Sequence, residues 1–204
     1  MKKLLDHLQR NFCEYDGSIC IDTVIYDNPS VKLSLSINLD DQKPKETWIV
    51  SCEQSFREHL NFEFVDTINI SQESPLLVPF VEDELTLTFV ENDVESMELL
   101  GIVQKCCRER MGNMVSIDDY LNTHIRDYAI CSSSYGQLGK FPRSVAESIM
   151  ERLDSRPIRL TVSQEFPPVY WDGNAHVSYP DTLAVLNIGA SWIVGTGFNA
   201  TKER

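Results

Sequence analysis

The sequence predicts an α+β fold: a mainly antiparallel sheet with helices packed on one face, and room for a βαβ unit in the second half. Three observations carry this. Val31, Leu33, Leu35, Ile37 and Leu39 alternate strictly with Lys32, Ser34, Ser36 and Asn38, the period of a strand with one face buried. Residues 94–110 carry apolar side chains at helical spacing between an acidic start and a basic end. Leu183 to Phe198, LAVLNIGASWIVGTGF, is a long, nearly uncharged run rich in β-branched and aromatic residues, which reads as a core strand pair turning near Gly189-Ala190.

Taken in order, Lys2 to Phe12 forms an amphipathic helix with Leu4, Leu5, Leu8 and Phe12 on one face. Asp16-Gly17 ends it. Ile19 to Tyr26, Val31 to Leu39 and Glu46 to Cys52 follow as strands with short connections, an antiparallel meander. Glu53 to Leu60 suits one or two helical turns. Phe62 to Ile70 alternates through Phe62, Phe64, Ile68 and Ile70, a further strand. Prolines make residues 71–79 a loop, and Leu85 to Val90 a strand.

The 94–110 helix takes Asp93 as N-cap, with Met97, Leu100, Val103, Cys107 and Met111 as its apolar face and Gly112 as its stop. Ser116 caps a short helix through Leu121. Ile125 to Cys131 reads as a strand, Ser132 to Lys140 as a flexible polar loop, Pro142 to Leu153 as a helix and Pro157 to Val162 as a strand. Strand, helix and strand here suit a crossover. Residues 164–179 read as irregular.

The 204 residues suit one large domain or two subdomains sharing a core, and 42% hydrophobic content supplies that core. Charge suggests a division near Val115. Residues 1–115 hold 21 acidic and 10 basic side chains; residues 116–204 hold 10 and 8. The chain thus reads as an acidic α+β half and a near-neutral α+β half, or one continuous domain.

A net charge of −13 argues against nonspecific nucleic-acid binding and against an anionic membrane surface. It allows a basic protein partner. Lys2-Lys3 resembles the start of an export signal, but Asp6, His7 and Arg10 interrupt the apolar stretch. With no export signal, Cys13, Cys20, Cys52, Cys106, Cys107 and Cys131 read as reduced, cytoplasmic thiols.

No residue set specifies catalysis, a cofactor or a metal. His7, His59, His124 and His176 are scattered, and no C-x-x-C pair occurs. Residues 134–140, SYGQLGK, lack the Walker pattern, which needs glycine at Ser134 and Ser or Thr at Phe141. Lys140 and Arg143 remain as anion-binding candidates near a helix start. Ser191 follows Gly189 but lacks the second glycine of a nucleophile elbow, Ile193 standing in its place.

Two segments stand out for partner binding. Glu82, Asp83, Glu84, Glu91, Asp93, Glu95 and Glu98 fall in one stretch without Lys or Arg, a candidate landing surface for a basic protein. Tyr170 and Trp171 are candidate aromatic anchors. The leading expectation is a non-enzymatic cytoplasmic protein-binding module, such as an inhibitor or immunity-type protein acting on a basic toxin or nuclease. Competing expectations are a small thiol-dependent or hydrolytic enzyme using Cys131, His124 or His176, and a homodimeric interaction subunit using a sheet edge or the N-terminal helix.

Overall fold

The computed structural model describes residues 1–13, 15–40, 42–113, 115–122 and 134–203. It is an α+β protein whose sheets are antiparallel throughout. Internal contacts divide it into two units, Met1–Ser74 with Pro180–Arg204, and Pro75–Tyr179. Val115 lies within the second unit.

The first unit opens with α1 (Lys2–Asn11), then β1 (Ser18–Asp27), β2 (Ser30–Asn38), β3 (Glu46–Cys52), β4 (Gln54–His59) and β5 (Ile68–Ser71). The second unit contains a turn of 3-10 helix with α2 (Val78–Val81), β6 (Glu84–Val90), α3 (Ser96–Met111), β7 (Tyr135–Pro142), α4 (Arg143–Leu153), β8 (Arg159–Phe166), β9 (Val169–Trp171) and β10 (His176–Ser178). The chain returns to the first unit as β11 (Ala184–Ile188), β12 (Ser191–Thr196) and β13 (Asn199–Lys202).

In the first unit the order β1-β2-β3-β13 forms one sheet and β4-β12-β11-β5 the other. β3 and β4 are one strand broken at Glu53, and β12 and β13 are one strand broken at Gly197-Phe198. The breaks face each other, with the Glu53 amide donating to the Thr196 carbonyl at 3.0 Å. A two-stranded ribbon therefore bends from one sheet into the other. Gly195 sits at the bend, where a Cβ would lie 2.4 Å from the Gln54 carbonyl oxygen and from Cys52 Sγ. Only glycine fits that approach.

The alternation of β2 is realised: Val31, Leu33, Leu35 and Ile37 are buried. They share a core with Trp48 and Val50 from β3, Leu186, Ile188 and Ile193 from the other sheet, and Leu4 and Leu8 of α1. β11 and β12 pair through Ile188 and Ser191 around Gly189-Ala190, as the sequence predicts. Gly189 has φ +56°, the positive value a two-residue hairpin turn requires at its first position.

In the second unit β6 lies between β7 and β8 and is antiparallel to both. β7 and β8 are therefore parallel to each other, and α4 connects them. This is a split βαβ unit with β6 in the gap. Leu85, Leu87 and Phe89 of β6 pack with Leu99, Val103, Cys106, Cys107 and Met111 of α3 and with Val145, Ala146, Ile149 and Leu153 of α4.

Several local expectations are corrected. Residues 54–59 are strand β4, not helix; the broken strand keeps its ladder across Glu53. Of Phe62 to Ile70, only Ile68 onward is strand. The polar loop expected through Lys140 is strand β7 from Tyr135, because Gly136 and Gly139 pair with Phe89 and Leu87. Residues 164–179 contain the end of β8 and the β9–β10 hairpin. The buried face of α3 is rotated, with Leu99 and Cys106 inside and Met97 exposed. Its cap is Glu95, whose carboxylate accepts from the Glu98 amide at 2.9 Å, instead of Asp93. The expected Ile125–Cys131 strand lies outside the described residues. Among those described, no helix is long and apolar enough to cross a membrane.

Candidate partner-binding groove

The segment between β4 and β5 leaves the sheet yet is held at both ends. At its start, the Asn61 amide donates to Ser191 Oγ at 2.7 Å, and Ser191 Oγ donates to the Asn61 carbonyl at 3.0 Å. In its middle, Val65 and Ile19 exchange backbone hydrogen bonds at 2.7 and 2.9 Å. At its end, the Gly189 amide donates to the Thr67 carbonyl at 3.0 Å. Between these fixed points Phe62 and Phe64 project outward, 56% and 71% exposed. Leaving two phenylalanines mostly exposed forgoes more than half of the roughly 1.5–3 kcal/mol that full burial of each would give, so a pinned loop that does so is a binding-surface candidate.

Beside this loop runs a groove of about 690 Å³, lined by Leu8, Phe12, Tyr15, Ile19 and Ile68 among others. A smaller hollow of about 370 Å³ lies against Phe64, Val65 and Gly189. Asp66 lines both and, among the described residues, is the one charged side chain lining either. The lining thus mixes apolar and aromatic side chains with Gln9, Thr67, Asn69 and the negative Asp66. Alternation in Phe62-Glu63-Phe64 suggests a buried strand face; exposure arises because Val65, one position out of phase, takes the inward place over Gly189. A Cβ on Gly189 would lie 2.2 Å from Val65.

The acidic segment of the second unit is engaged within the chain. Glu82 accepts the Ser144 amide at 2.7 Å. Asp83 pairs with Arg143 at 2.9 Å, Glu84 with Lys140 at 3.5 Å, Glu91 with Arg159 at 2.7 Å and Glu98 with Arg156 at 2.9 Å. Glu95 caps α3. Asp93 is exposed, and its backbone amide donates to the Pro157 carbonyl.

The same pairs bear on the anion-binding candidates. Arg143 also binds Glu165, and Asp83 first, then Glu165, hold its guanidinium above the usual arginine value. Lys140 lies 5.2 Å from the Phe166 ring centre, besides its pair with Glu84. The start of α4 already receives a carboxylate, that of Glu82.

Tyr170 and Trp171 lie on β9. Tyr170 is half-buried, its ring 5.2 Å from Tyr179, which meets Phe80 edge-on at 5.1 Å. Trp171 is 58% exposed, beside His176 at 5.3 Å. Asp172 Oδ1 accepts the Asn174 and Ala175 amides and closes the hairpin; the Ala175 bond first, then Asn174, hold its carboxyl below the usual value.

Among the described residues, no group of three or more His, Cys, Asp or Glu is placed to hold a metal. His124 and Cys131 lie outside the described residues, and His176 is exposed on β10. Cys52 and Cys107 are buried, which pushes their thiols up to about 11 and about 12. Ser191 holds the Phe62–Phe64 loop, a role visible only once the strand carrying it is placed beside Asn61. Compared with known families, characterised proteins and solved structures, the chain matches none.

Proposed function

We propose that the protein is a non-enzymatic protein-binding module that holds a basic, partly apolar segment of a partner against the Phe62–Phe64 loop and its groove. The observation that carries this is the loop itself: two outward phenylalanines between backbone-pinned ends. Aromatic side chains with two rotatable bonds, on a loop whose backbone is already pinned, lose little entropy on binding. Asp66 in the groove wall, and Glu63 between the phenylalanines, favour a Lys- or Arg-bearing segment. An inhibitor or immunity-type protein acting on a basic toxin or nuclease is one form of such a module. The described cysteines are free, which supports a reducing, cytoplasmic setting.

Panning a random-peptide phage library on the immobilised full chain tests the reading. Peptides combining apolar residues with Lys or Arg are expected to enrich. Their affinity should fall about tenfold or more on the F62A/F64A double variant, since aromatic anchors carry much of such binding. No enrichment over bare support, or equal binding to the double variant, would refute it.

A further inference from the structure

Edge strands expose unpaired backbone groups, and proteins guard them with bulges, charges or covering elements. Five of the six edges of the larger sheets carry a register shift or a charge. β1 has a register shift between Ile21 and Thr23, and β4 has one opposite Val194 and Gly195, with Arg57 and Glu58 beside it. β7 and β8 each shift against β6 and carry Lys140, or Arg159 and Glu165. β13 carries Lys202. β5, Ile-Asn-Ile-Ser, pairs with β11 in unbroken register and has neither bulge nor charge; only its length of four residues limits it as a template.

The backbone of β5 is also aimed. The Gly189 amide bonds the Thr67 carbonyl, and these residues continue the register that places Ile68 opposite Ile188. Thr67–Gly189 is therefore a hydrogen-bonded pair, and alternation makes Asn69–Asn187 and Ser71–Val185 the next ones. The N–H and C=O groups of Ile68 and Ile70 then point away from β11, toward the free edge. Ile68 lines the groove together with Leu8, Phe12 and Tyr15. An edge without bulge or charge thus coincides with a groove that offers Leu8, Phe12, Tyr15 and Ile68 as its apolar side, with Asp66 at the start of the edge.

We infer that β5 accepts one extended segment of a partner protein as an added strand of the β4-β12-β11-β5 sheet. The segment bonds the backbone of Ile68 and Ile70, places alternate apolar side chains in the groove and sets a Lys or Arg against Asp66. This rests on the protein-binding reading above and specifies its mode. Charge complementarity selects a basic partner segment over a second copy of this chain, because each unit is itself negative: 15 acidic against nine basic side chains in the first and 16 against nine in the second.

The test uses a peptide enriched from the phage library and the intact protein. Moving a single N-methyl group along the peptide backbone should weaken binding about tenfold at alternate positions and little between them, because alternate amides face β5. Amide exchange at Ile68 and Ile70 should slow on binding, with Asn69 unchanged. D66K should weaken binding about tenfold and flatten its salt dependence. Tolerance of N-methylation throughout, with binding still lost in F62A/F64A, overturns strand addition and leaves the protein-binding reading standing. Failure of any peptide to enrich removes both.

Discussion

Replacing Ser191 with alanine isolates the contact that holds the aromatic loop. One hydroxyl makes two hydrogen bonds with Asn61, accepting its amide at 2.7 Å and donating to its carbonyl at 3.0 Å. Ser191 is 2% exposed, and its strand is part of the shared core. Two neutral hydrogen bonds at a net of about 1 kcal/mol each give a loss of about 2 kcal/mol. Asn61 is half-buried, so water re-engages part of its backbone and the loss stays below the full penalty for two buried orphans. Trp48 and Trp192 lie in the first unit and Trp171 in the second, so a W171F background makes tryptophan fluorescence report the first unit. In that background S191A should lower the urea midpoint by about 1 M, given a slope of roughly 2 kcal/mol/M. Amide exchange across Phe62–Asp66 should quicken. A midpoint within experimental scatter of the parent, with unchanged exchange in that loop, would refute the assignment of Ser191 as its anchor.

Other substitutions separate the forces in each unit. G195A should cost about 2–4 kcal/mol, because the new Cβ meets the Gln54 backbone, whereas G101A, in open space on α3, should stabilise by about 0.5–1 kcal/mol; calorimetry reads both signs. Burial opposes ionisation of Glu46, but Lys202, the Trp48 indole and His7 outweigh it, and the carboxyl sits below its usual value. Its contribution is therefore present above the unfolded carboxyl's pKa and lost as pH falls through the folded one, so E46Q should flatten the acid limb of a stability–pH profile. Native-state labelling with a thiol reagent near neutral pH should spare Cys52 and Cys107 and modify the part-exposed Cys13 and Cys20, as peptide mass mapping would show. E82A should cost α4 its first-turn acceptor, about 1 kcal/mol, seen as faster exchange of the Ser144 amide.

The fold was legible wherever one local period decided it. β2 alternates without interruption, β3 has the expected ends, and the β11–β12 turn carries its glycine in the required place. Legibility failed where a partner strand decided the outcome. Residues 54–59 hold Arg57, Glu58 and His59, which suit a helix locally, but the ladder with β12 holds them extended. Gly136 and Gly139 signal a loop until β6 is placed beside them. The proposed binding surface was hidden for the same reason: Phe62 and Phe64 match a strand's buried face, and only the Val65–Ile19 bonds and the approach of Val65 to Gly189 turn them outward. No signal within residues 60–67 distinguishes those cases.

Charge along a sequence and charge on a surface also proved to be different quantities. The halves divided at Val115 are unequal, yet the folded units carry nearly equal net charge, because the near-neutral stretch is shared between them. The run from Glu82 to Glu98 lacks cations of its own, but Lys140, Arg143, Arg156 and Arg159 are brought to it from β7, α4 and β8. Each exposed pair adds little to stability; together they leave a partner's lysines fewer unengaged carboxylates there. Asp66 contributes a single charge, but it stands in a partly apolar groove wall that, among the described residues, no cation lines. A charge in such a wall is less screened than one on an open surface, and a groove between low-dielectric walls concentrates its field. In the proposed binding mode, selectivity for a basic segment therefore rests more on one carboxylate in the right surroundings than on the densest acidic run in the chain.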